Sequence, residues 1–190
     1  DAYAAGRLYV NVHSPAHPSG EIRGQIVPEG VEVVFAELSG AQSVPAIDTR
    51  ASGLAAVTID STRSFVTIHA NTQGLDDAVG AHLHAGFGGE NGGVLIGLTV
   101  DGGDPSHWFV EEAPMDAALE EQQIGTGATY VNVHSPAHPG GEIRGQVIPD
   151  GILFAYGALE GSQENPPVAS AASGSFAVTV VPDLLLLVAH

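Results

Sequence analysis

LYVNVHSPAHPSGEIRGQIVP, from Leu8 to Pro28, returns as TYVNVHSPAHPGGEIRGQVIP from Thr129 to Pro149, an offset of 121 residues. The offset holds beyond the obvious match. Leu38 and Gly40 correspond to Leu159 and Gly161, Gln42 to Gln163, Pro45 to Pro166, Ser52-Gly53 to Ser173-Gly174, and His69 to His190. A single register without insertion predicts a tandem array. Residues 1–30 read as the C-terminal part of one repeat, 31–150 as a complete domain, and 151–190 as the N-terminal part of a following repeat. The plainer alternative is a duplicated domain with no role in assembly.

Within the complete repeat the dominant pattern is period-2 alternation, the signature of half-buried strands. VEVVFAELSG, ASGLAAVTID, SFVTIHAN, GAHLHAG, VLIGLTV, ATYVNVH and GEIRGQVIP each read as a strand, and a short helix is expected around Pro114 to Gln122. Seven or eight short strands separated by turns predict an all-β fold, a sandwich or flattened barrel. The 25 Gly and 12 Pro suit such a turn-rich chain.

The chain of 190 residues carries a formal charge of −17, and its five basic residues are all Arg. Such a field disfavours nucleic acid and anionic membranes and attracts cations. Cys is absent, which excludes disulfides and thiolate metal sites and leaves His as the soft-metal ligand. The longest apolar run, near Leu184 to Val188, is strand-sized, so no membrane span is expected. The chain starts at Asp1 and stops at His190, a position that corresponds to a strand interior, and is expected to be a piece of a longer or processed protein.

Alternation also sorts the histidines. In YVNVH, Val131 and Val133 share one face and Tyr130, Asn132 and His134 the other; in GAHLHAG, Leu83 opposes His82 and His84. With the aliphatic residues inward, these imidazoles stand on the outer surface of the sheets. His-x-His on a strand sets two imidazoles on one face, roughly 7 Å apart at Cα. A third His from another strand completes an all-nitrogen site suited to copper, with zinc as second choice. The candidate metal ligands are His82, His84, His134 and His138, with His13 and His17 as their counterparts in the first segment. His69 is expected to be an ordinary strand-end surface residue and His107 an ordinary loop residue, or both to be contacts between domains. Glu142 and Arg144 share a face, as an ion pair or as contacts to a neighbouring strand. FGGENGG reads as a flexible loop. Asp101, Asp104, Glu111 and Glu112 fit no calcium-loop spacing. No catalytic triad is readable.

The order Leu38-Ser-Gly40, Pro45, Ser52-Gly53, Gly74-Leu75, Ala81-His-Leu-His-Ala-Gly86, Asn91-Gly92, Tyr130-Val-Asn-Val-His134 and Gly141-Glu-Ile-Arg-Gly-Gln146 resembles the CHRD domain, the module first named from chordin. That resemblance implies a secreted or cell-surface protein. More distantly, the GAHLHAG and VNVH strands are similar in chain order to the copper-ligand strands of copper-zinc superoxide dismutase. This second resemblance implies a Greek-key β-sandwich with copper on His82, His84 and His134, and places Arg144 near that family's active-site arginine. The chain has no clear counterpart of the bridging histidine or of the zinc ligands.

Three functions compete on these grounds. The first is an extracellular fibre or matrix of CHRD modules, each with a His-rich copper site and with other copies of itself as partners. The second is a copper redox enzyme, and the third an extracellular ligand-binding module.

Overall fold

The computed structural model describes residues 2, 3 and 6–190. Its strands are β1 (Leu8–Val12), β2 (Ile22–Ile26), β3 (Val31–Ser39), β4 (Ser52–Asp60), β5 (Phe65–Gln73), β6 (Gly80–Ala85), β7 (Val94–Asp101), β8 (Asp104–Pro114), β9 (Thr129–His134), β10 (Ile143–Val147), β11 (Leu153–Glu160), β12 (Ser173–Val181) and β13 (Leu186–Ala189). They form three sheets: the β1–β2 hairpin, a closed ring in the order β10-β3-β4-β5-β8-β7-β6-β9, and an open β11-β12-β13 sheet. The all-β expectation holds. The central sheet, however, is a closed eight-stranded barrel. The closing step is the pairing of β10 with β3 through Arg144 and Ser39. Period-2 patterning cannot register that step, because it reports which face a side chain takes and not which strand lies alongside.

Alternation fills the barrel. Val57, Val66, Ile68, Leu83, Val131, Val133, Ile143 and Val147 are fully buried, joined by Trp108 and Met115. Each such aliphatic side chain contributes about 1.5–3 kcal/mol on leaving water. Gly145 permits the β10–β3 closure, since a Cβ there would lie 2.6 Å from the Glu37 carbonyl oxygen.

Two local readings change. The longest strand, β8, was not foreseen, and His107 lies in it rather than in a loop. Only Trp108 of its residues is buried, so alternation gives almost no signal there. The expected short helix is a six-residue π-type turn at Ala118–Gln123, followed by a 3-10 turn at Ile124–Thr126. No helix among the described residues is long and apolar enough to cross a membrane.

Candidate metal centre

Antiparallel pairing of β6 with β9 builds the site. His82 faces Asn132, His84 faces Tyr130, and His134 faces Gly80. His134 is therefore the diagonal neighbour of His82, within reach for long side chains on one sheet face. Gly80, having no side chain, leaves His134 free to lean toward His82. The result is a three-imidazole cluster with His82 Nδ1 3.0 Å from His134 Nε2. Ring centroids are 5.5 Å apart for His82–His84, 4.9 Å for His82–His134 and 5.8 Å for His84–His134. One ligand atom from each of the three lies within 4.8 Å of the other two.

Hydrogen bonds select the tautomers. His84 Nδ1 lies 3.0 Å from the Gly92 carbonyl, and His134 Nδ1 lies 3.0 Å from the Pro139 carbonyl. A carbonyl only accepts, so each Nδ1 carries the proton; the Nε2 of a neutral His134 then accepts from His82 Nδ1, while that of His84 presents a bare lone pair. The Nε2 of His84 is buried with no hydrogen-bond partner. An orphaned nitrogen of this kind is costly unless a ligand takes it. Burial is the first cause lowering the pKa of both His82 and His84, followed at His82 by the charges of His134 and His84. At His84 the bond to Gly92 opposes the shift, while His134 and Arg144 reinforce it. Neutral imidazoles, the form that ligates metal, are thus favoured.

The outer face is not open at this point. His84 is 8% exposed, because the Tyr130 ring stacks on it at 5.0 Å and 9°. Arg144, 1% exposed, lies against the same Tyr130 with its guanidinium carbon 3.5 Å from the ring centre. It donates to the Glu90 and Phe87 carbonyls at 2.6 and 2.9 Å and to Gln146 Oε1 at 2.9 Å. Burial lowers its pKa to about 10, which leaves it charged at neutral pH. It forms no ion pair with Glu142, which instead accepts from Ser135 and Thr49. The FGGENGG loop is held rather than free. Its carbonyls serve Arg144 and His84, and Asn91 donates to the Val44 carbonyl at 2.8 Å. Gly92 is required there, because a Cβ would collide with the Ala85 carbonyl.

Of the six candidate ligands, three converge. His138 lies outside the cluster, its backbone amide donating to Ser135 Oγ. Its charge is one of the influences lowering the Glu142 pKa, after the Ser135 bond. His13 and His17 are exposed on the β1–β2 hairpin, whose sheet has, among the described residues, no third strand to supply a His-x-His pair. His13 still repeats the tautomer device, with Nδ1 3.0 Å from the Pro18 carbonyl.

Two residues read as ordinary surface histidines form a second polar chain. His69 Nδ1 lies 3.0 Å from His107 Nε2, and His107 Nδ1 3.2 Å from Asp101 Oδ2. The two rings are within 9° of parallel at a centroid separation of 5.3 Å. With their nitrogens 3.0 Å apart, that separation describes a head-to-head hydrogen bond rather than a face-on stack. The acidic residues without a calcium spacing are engaged structurally: Asp101 with Gly103 and His107, Asp104 with Ser106, Glu112 with Arg63 and Glu111 with Arg7.

A small β-barrel with an imidazole cluster on the outer side of two adjacent strands is the class that fold and site define. The family model of the CHRD domain matches residues 1–26 and 34–147. The chain belongs to the CHRD family. Comparison with curated proteins and with solved structures finds no match to either.

Proposed function

We propose that this chain is part of an extracellular array of CHRD modules in which each complete barrel holds one copper ion on His82, His84 and His134. The observation that carries the metal half is the buried, partnerless Nε2 of His84, facing a cluster whose tautomers are already selected by backbone carbonyls. Three neutral nitrogens with no thiolate or carboxylate suit copper or zinc, and divalent copper binds more tightly to a given nitrogen site. The residues would hold the ion through His84 Nε2, His134 Nε2 and a nitrogen of His82. The bound ion would supply a Lewis-acidic and redox-active centre.

The array half rests on the 121-residue register and on matching structure at its two ends. In β1–β2, Leu8 pairs with Ile26; 121 residues later, in β9–β10, Thr129 pairs with Val147. The strand order supports the Greek-key reading: β6, β7 and β8 are successive neighbours, and β9 returns beside β6. A dismutase-type enzyme is less well supported, because Arg144 is buried beneath Tyr130 and its guanidinium is committed to carbonyl groups.

Calorimetric titration of the metal-free chain with divalent copper tests the proposal. One site per chain is expected, lost when His82, His84 and His134 are replaced together by Ala and retained in His138→Ala. Binding that survives the triple replacement would refute the site, and electron microscopy of native material showing only dispersed particles would refute the array.

A further inference from the structure

The outer face of the β11–β13 sheet is seated on the loop between β6 and β7. A Cβ on Gly88 would collide with the Phe154 ring, and one on Gly89 would lie 2.5 Å from His190 Cβ and 3.6 Å from Ala177 Cβ. His190 Nε2 meets Glu90 Oε1 at 3.0 Å. Tyr156 lines the same cleft. Moved back 121 residues, Phe154, Tyr156, Ala177 and His190 become Val33, Phe35, Ala56 and His69. Those four lie on the outer face of β3–β5, and Phe35 there is 61% exposed.

The junction leading into the barrel has the same geometry as the one leading out. A Cβ on Gly6 would meet Val31 Cγ1 at 3.0 Å and Thr58 Cγ2 at 3.6 Å. On Gly127 it would meet their counterparts Ile152 Cγ2 at 3.2 Å and Thr179 Cγ2 at 3.6 Å. Gln25 donates to the Gly6 carbonyl as Gln146 does to that of Gly127. Arg23 lies over Tyr9 at 3.6 Å, as Arg144 lies over Tyr130 at 3.5 Å. Residues 6–28 therefore sit against β3 and β4 as the corresponding part of the complete barrel sits against β11 and β12. What differs is that segment 1–30 contains no counterpart of the Gly88–Glu90 loop.

We infer that Val33, Phe35, Ala56 and His69 form the seat for the Gly-Gly-Glu loop of a preceding copy of this module, whose glutamate takes His69 Nε2. The occupant is a second copy of the chain's own repeat, because the chain shows that loop on the equivalent face. His69 is prepared for it: Nδ1 is engaged by His107, which Asp101 holds in turn, and Nε2 is left over. The completed junction is a chain from Glu90 of one module through His69 and His107 to Asp101 of the next. The same loop supplies the carbonyls that hold His84 and Arg144, so each junction braces the metal cluster of the module before it. This inference rests on the array reading.

The test uses an in-register two-module chain, residues 1–150 followed by 30–190, and carbethoxylation of histidines by diethyl pyrocarbonate, read by mass spectrometry. Half of the His69 population is expected to react slower by a factor on the order of ten. Glu90→Gln in the first copy should return that half toward the fast rate. Uniformly fast His69 in both copies would overturn the seat. The present chain gives an independent check should the longer one misfold: Glu90→Gln should speed the reaction of His190, whose Nε2 meets Glu90, and an unchanged rate would also overturn it. Failure of the array reading has a separate signature, a native polypeptide mass too small for two complete modules.

Discussion

The β1–β2 and β9–β10 hairpins are nearly the same peptide with opposite fates. Local hydrogen bonds agree: Asn11 and Asn132 donate to carbonyls eight residues on, at 3.3 and 3.1 Å, and His13 and His134 each engage a Pro carbonyl at 3.0 Å. Burial does not agree. Val10, Val12 and Tyr9 are 58%, 51% and 48% exposed, whereas Val131, Val133 and Tyr130 are at 0–1%. The hairpin shape and the histidine tautomer are thus written into the segment itself. The metal cluster is not, because it needs β6 alongside.

The largest effect expected from this contrast concerns metal. His134→Ala should weaken copper binding by roughly a thousandfold, beyond the roughly 10- to 100-fold typical of second-sphere changes. His13→Ala should leave the affinity of the barrel site unchanged; a titration of the two variants side by side distinguishes them. Next come the two isoleucines. Ile143→Ala should cost about 3 kcal/mol in a denaturant melt, through a cavity in the barrel. Its counterpart Ile22, 66% exposed, should cost less than about 0.5 kcal/mol on the same change. Arg144→Ala should cost about 2 kcal/mol by stranding the Phe87 and Glu90 carbonyls, and Arg23→Ala much less. Comparable losses in either pair would mean that the two hairpins are equally packed.

The smallest effect is on pH dependence. Burial first, then the charges of His107 and Arg23, lower the His69 pKa from 6.5, against an opposing influence from Glu111. The folded state then binds fewer protons than the unfolded state below that value, so stability falls as the pH drops through 6.5 toward the folded pKa. His69→Asn should flatten that part of the metal-free stability profile. An unchanged slope would assign it to other groups.

Most of the barrel's inward and outward faces were legible in the sequence, because Val131, Val133 and Leu83 alternate strictly with polar neighbours. The His-x-His pair and its third partner followed from the same alternation. Several features were not legible, each for a non-local reason. The cover over His84 comes from Tyr130 and the Gly92 loop, and only strand order brings these together. The His69–His107 pair depends on β5 lying beside β8, a strand whose pattern of Pro105, His107 and paired glutamates hides its regularity. Barrel closure depends on one register pair between β10 and β3, which are distant in the chain.

The central claim is that the imidazoles of His82, His84 and His134 bind one ion. Electron paramagnetic resonance of the chain with one equivalent of divalent copper addresses it directly. The account predicts a single spectrum with nitrogen superhyperfine structure whose pattern and g values change in His84→Ala, as one nitrogen leaves the ion. A spectrum of hydrated copper, or one unchanged by His84→Ala, would contradict it.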